Sequence, residues 1–215
     1  MISAKDWWAV FTHYNETFYP MQWIVMILAT ALILWVFIKP SRMANRILMS
    51  FLALSNAWTG MMFFIIIGTG LPSPLRFIQG SLFVVIGLLL GIDAISGKTE
   101  IKLSNQKIEK NITLLLLFVI ATYPFIGMLR GHSVYQLVYP GTLPCATTAL
   151  TLLLLSTALP NTNKGAYILL LIWAIPFAPL IQIPVFKVYE DIIMFVIGLY
   201  SLIALIVKSR KERTS

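Results

Sequence analysis

Apolar residues in this chain run in long, nearly unbroken stretches. They follow neither the two-residue period of a half-buried strand nor the narrow stripe of a surface helix. Seven stretches stand out: Met21–Ile38, Ile47–Gly68, Leu75–Ile95, Ile112–Leu129, Thr142–Leu159, Ala166–Ile183 and Asp191–Val207. A helix that is apolar all round must be buried, and about 20 such residues match the hydrocarbon thickness of a bilayer. The pattern predicts an all-α, polytopic membrane helical bundle with seven transmembrane helices, a single integral membrane domain over residues 1–215. The remainder is too short for a soluble domain, so any chemistry must use helices, short loops or bound partners.

The polar positions between the stretches sort by charge. Lys39, Arg42, Arg46, Lys98, Lys102, Lys107, Lys110, Lys164, Lys208, Arg210, Lys211 and Arg213 fall on one side of a seven-span chain, and Lys5, Arg76, Arg130 and Lys187 on the other. Lysine and arginine favour the cytoplasmic side. The split therefore expects the N-terminus outside and the C-terminus cytoplasmic, in a cell membrane. It alternates correctly for seven spans and fails for six. The basic tail from Lys208 is read as part of this signal, with no nucleic-acid partner.

Composition agrees: 59% of residues are hydrophobic and 11% charged. A soluble domain carries roughly 45–50% apolar and about 25% charged residues. The bilayer is thus the first expected partner. No cleavable signal peptide is read before Met21. The aromatic stretch Trp7–Trp23 reads as an interfacial belt or a short amphipathic helix on the outer leaflet.

Some positions break the apolar runs. Pro176, Pro179 and Pro184 make the outer half of the sixth span irregular, because proline removes a backbone donor. Discontinuous membrane helices often line transport sites. Ser55, Asn56, Thr59 and Gly60 share one face of the second span, and Thr142, Cys145, Thr148 and Ser156 one face of the fifth. Such faces either pack closely against neighbouring helices or border a polar cavity.

Candidate chemistry is sparse. No ionisable residue occupies the middle of a span. Asp93, the deepest, lies near a span end and is expected to pair with Lys98. This weighs against a proton relay, and the last span has no internal lysine for a retinal Schiff base. His13, Glu16, Arg130, His132, Glu190 and Asp191 map to the outer side, with Cys145 about one turn into the fifth span. His13, His132 and Cys145 are candidate ligands for zinc, copper or haem iron, although no ligand spacing accompanies them and the cofactor stays unknown. No nucleophile elbow, P-loop or dinucleotide fingerprint is present. Cys145 with His132 is a conceivable nucleophile–base pair, but a small buried thiol is the favoured reading.

A set of residues carries a resemblance. Tyr14-Asn15, Pro20 and Gln22 precede the first span; Trp58-Thr59-Gly60 and Phe63-Phe64 lie in the second, and Gln79 in the third. Tyr123-Pro124, Gly127, Gly131-His132, Tyr139-Pro140-Gly141 and Pro144-Cys145-Ala146-Thr147-Thr148 follow. With these residues the chain resembles a family of small prokaryotic multi-pass membrane proteins known only as a domain of unknown function. It departs from that pattern at Met62-Phe63, where the family often has Tyr-His, and at Ala146, where it often has proline. The resemblance implies a prokaryotic cytoplasmic membrane and a motif cluster on the outer side, but no activity.

Tyr14, Asn15, Asn56, Thr59, Arg130, His132, Cys145 and Thr148 are therefore the candidate ligand-binding residues, expected around an outward-facing polar pocket. The all-membrane build and irregular sixth span favour a small-molecule or ion permease or channel, with a small polar or ionic ligand. A metal- or haem-binding membrane protein and an accessory subunit of an oligomer or larger complex are the alternatives. An enzyme is the least supported reading.

Overall fold

The computed structural model describes residues 3–214, with the side chains of residues 3–210. Lys211 and Arg213 of the basic tail therefore have side chains outside the described residues. Nine α-helices are formed among the described residues: α1 (Ala4–Phe18), α2 (Met21–Ile38), α3 (Arg42–Trp58), α4 (Ser73–Ser96), α5 (Lys107–Ala121), α6 (Tyr123–Leu129), α7 (Pro144–Ala158), α8 (Lys164–Ile172) and α9 (Ile192–Thr214). Wider π-helical turns prolong α3 over Thr59–Ile67 and α8 over Trp173–Gln182.

Helix ends follow local chemistry. Ser41 accepts from the Ala44 amide at the start of α3, and Asn163 from the Ala166 amide at the start of α8. Gly97, in the left-handed region at φ 64°, ends α4. The irregularity expected from the prolines is present, with Pro176 and Pro179 inside the π-helical turns after α8.

Five helical segments are long and apolar enough to cross a membrane: Met21–Ile38, Arg42–Gly70, Ser73–Ser96, Lys164–Gln182 and Tyr189–Arg210. The pair α5 and α6, bent by 49°, qualifies together as a sixth. The apolar α7 has 15 residues. It is the centre of the bundle, in contact with α3, α5, α8 and α9, and every residue but Thr157 is buried. Close packing of α3 on α4 needs glycine. A Cβ on Gly60 would lie 2.5 Å from the Gly80 carbonyl oxygen, and one on Gly87 would lie 2.8 Å from that of Ala53.

Two local expectations change. The aromatic N-terminal stretch is an amphipathic helix, but its aromatic face turns into the protein. Trp7 stacks on Phe186 with centroids 4.4 Å apart, while Phe11 and Tyr14 meet the ring of Phe63 edge-on. Aromatic side chains at this end of the bundle offer α1 a protein surface to bury against. Asp93 is satisfied by hydrogen bonds: its carboxylate accepts from the Thr99 hydroxyl and, at 3.2 Å, from the Asn163 amide. The chain reverses after Gly97 and brings Thr99 back under the end of α4.

Candidate functional site

Leu137 to Leu143, ahead of α7, is buried throughout yet not helical. Buried backbone without a regular partner must be satisfied by other groups. Asn15 Nδ2 donates to the carbonyls of Tyr135 and Leu137, each at 3.0 Å. Gln22 Nε2 holds Asn15 by donating to its carbonyl and side-chain oxygens. The Tyr14 hydroxyl donates to the Thr142 carbonyl at 3.0 Å and accepts from Trp58 Nε1 at 2.8 Å. Thr59 donates to the same carbonyl at 3.4 Å, and the Gly141 amide donates to Thr147 Oγ1 at 3.0 Å. Burial pushes the Tyr14 hydroxyl well above its ordinary pKa, so it remains a donor.

Two further residues complete this clamp. Gly141 adopts φ 90°, a conformation costly for any residue with a Cβ, and a Cβ there would meet Val25 Cγ1 at 2.8 Å. Pro144 occupies the first turn of α7, where its missing N–H costs nothing.

Beside the start of α7 lies a buried acidic pair. A single tight turn, Tyr189–Asp191, leads into α9 and points both carboxylates inward; Glu190 is 2% exposed and Asp191 0%. Glu190 lies 3.7 Å from Arg130 Nη1 and 3.6 Å from His132 Nδ1. The Arg130 guanidinium also covers the Tyr189 ring at 4.4 Å, and Trp8 meets the His132 ring edge-on at 4.7 Å. Asp191 has no such support. Among the described residues its carboxylate has no cation against it; the Cys145 thiol is its hydrogen-bonding neighbour, and the Tyr123 hydroxyl lies nearby. Thr148, one turn further along α7 on the Cys145 face, is buried with an unpartnered hydroxyl. A carboxylate buried in low dielectric without a counter-charge is costly, and it draws a proton or a cation.

The expected residues thus fall into three groups. Tyr14, Asn15 and Thr59 clamp the non-helical stretch. Arg130 and His132 surround Glu190, Cys145 neighbours Asp191, and Thr148 shares the Cys145 face of α7. Asn56 lies apart, donating to the Leu52 carbonyl and, at 3.1 Å, to Thr151. Cys145 and Thr148 are fully enclosed rather than set in an open pocket. Of the candidate metal ligands, His13 is exposed: it precedes inward-facing Tyr14 by one position, roughly 100° around the helix. Among the described residues no group of three or more His, Cys, Asp or Glu is placed to hold a metal ion.

Asp191, Glu190, Tyr123, Thr147 and Gln22 belong to the constellation but not to the expected set. A readable signal existed for the acids, since Glu190-Asp191 directly abuts an apolar run.

The family of unknown function DUF6064 matches residues 4–215, and the chain belongs to it. No curated protein matches the chain, and no solved structure does.

Proposed function

We propose that this member of DUF6064 is a seven-span membrane permease for protons or small monovalent cations, with Asp191 as the ion-binding carboxylate. The observation that carries the reading is Asp191 itself, wholly buried, with no counter-charge against it among the described residues and only the Cys145 thiol as a hydrogen-bonding neighbour. An ionisable group inside a membrane bundle is expensive and is generally kept for function. Its surroundings suit transient ion binding. Cys145 offers a polar, uncharged atom beside it, with Thr148 one turn further along α7, while Glu190 and Arg130 form an ion pair towards the outer end and His132 lies against Glu190.

The seven-span topology counts α5 with α6 as one crossing and α7 as another. Fifteen residues of α7 supply roughly 22 Å, short of a hydrocarbon core of about 30 Å. The clamped stretch Leu137–Leu143 makes up the difference. Non-helical backbone at membrane depth is tolerated where protein encloses it, and such interrupted helices are where ion sites form. The distribution of lysine and arginine supports an outside N-terminus and a cytoplasmic C-terminus in the cytoplasmic membrane. α1 then covers the outer end, with Trp8 against His132.

The test is flux. Purified full-length protein is placed in liposomes containing a pH-sensitive dye, and a potassium diffusion potential, negative inside, is imposed with valinomycin. Internal acidification or uptake of radioactive sodium faster than in protein-free liposomes is the expected result. Rates equal to protein-free liposomes for both ions would overturn the reading.

A further inference from the structure

At the opposite end of the bundle from the acidic pair, a cavity of about 250 Å³ lies between the start of α3, the end of α4 and the returning stretch after Gly97. Arg42, Asn45, Arg46 and Met49 line it from one face of α3, at helical spacing. Lys102, Glu100 and Asp93 also line it. The acids are already engaged: Asp93 accepts from Thr99 and Asn163, and Glu100 sits 3.7 Å from Lys102. Arg46 donates to the Ile95 carbonyl at 3.1 Å, which fixes its guanidinium beside Gly97 and leaves its charge uncancelled. Arg42, Arg46 and Lys102 thus outnumber Asp93 and Glu100 in the lining and leave the cavity net positive.

Exposed apolar side chains adjoin the lining residues in sequence on the same two helices. Met43 on α3 is 66% exposed, and Ile92 and Ile95 on α4 are 62% and 80% exposed. These residues lie on the same two helices that carry the cavity and face outward, as lipid-facing side chains do. A soluble phosphate compound has no use for such a border, whereas a phospholipid fits both parts. Its phosphate would meet the guanidinium groups and its acyl chains would lie along Met43, Ile92 and Ile95.

We infer that this cavity binds the headgroup of an anionic phospholipid, with Arg42 and Arg46 as the phosphate ligands. The inference is independent of ion transport and requires only membrane residence.

Full-length protein in nonionic detergent is heated with added phosphatidylglycerol, with phosphatidylcholine, or with inorganic phosphate. Phosphatidylglycerol is expected to raise the unfolding midpoint, and the other two to leave it in place. In the double variant Arg42→Gln with Arg46→Gln this rise should shrink by more than half. The variant Lys107→Gln with Lys110→Gln removes the same charge outside the cavity and should keep the rise. Should the first pair fail to fold, Arg42→Gln alone is read by native mass spectrometry as loss of retained phosphatidylglycerol. Equal rises with both lipids, or undiminished lipid binding in the arginine variants, would overturn the assignment. An equal rise with inorganic phosphate would replace the lipid by a soluble phosphate ligand and overturn it as well.

Discussion

The Tyr14 hydroxyl donates to the Thr142 carbonyl at 3.0 Å, joining residues 128 positions apart in the chain. The bond ties the N-terminal helix to the non-helical stretch ahead of the central helix. With Thr59 as its weaker companion at 3.4 Å, it satisfies a carbonyl that no helix can serve. Tyr14→Phe removes the donor and also deprives Trp58 Nε1 of its acceptor. A loss of about 1–2 kcal/mol of stability is expected, measured by reversible unfolding in mixed micelles. An unchanged midpoint would take Tyr14 out of the clamp.

The contact between α3 and α4 gives a paired prediction. Gly60→Ala places a methyl 2.5 Å from a backbone oxygen that cannot step aside, so the helices must separate. A cost of about 1–3 kcal/mol is expected. Gly91→Ala, on the α4 side of the same contact, meets its nearest heavy atom only at 4.0 Å and should cost little. Thermal unfolding of the two variants side by side checks the contrast, and equal effects would contradict it.

Cys145 is the chain's one cysteine and is fully buried. A maleimide should therefore label the folded protein slowly and the denatured protein at once. Mass spectrometry over time reads both rates. Rapid labelling of folded protein would mean that the site around Asp191 stands open.

The helical stretches were legible because their length and uniform apolarity leave few alternatives. Met21–Ile38 is a helix with the same bounds, and the other six apolar runs all become largely helical. The prolines likewise announced the irregular turns at Pro176 and Pro179. Comparable turns at Thr59–Ile67 contain no proline and carried no such mark.

Glu190 and Asp191 are read on the outer side, but their burial was not legible in the sequence, for a physical reason. Asp191 sits at the start of its apolar run, where a side chain normally reaches water. Its burial comes from other parts of the chain. Phe186, stacked under Trp7, and the segment carrying Arg130 and His132 close that end of the bundle. Depth set by distant segments does not show in the periodicity of one helix. The clamp residues Tyr14, Asn15 and Thr59 were found by their motif, but their role depends on the course of Leu137–Leu143, which has no local signature.

Asp191→Asn compared with wild type in the liposome flux assay tests the proposed ion site most directly. Asparagine keeps the size of the side chain and removes its charge, so the unfolding midpoint should stay at or above that of wild type. The expected result is a flux that falls to the protein-free rate in a protein that is still folded. A folded Asp191→Asn protein that carries ions at the wild-type rate would contradict the assignment of Asp191 as the ion-binding carboxylate.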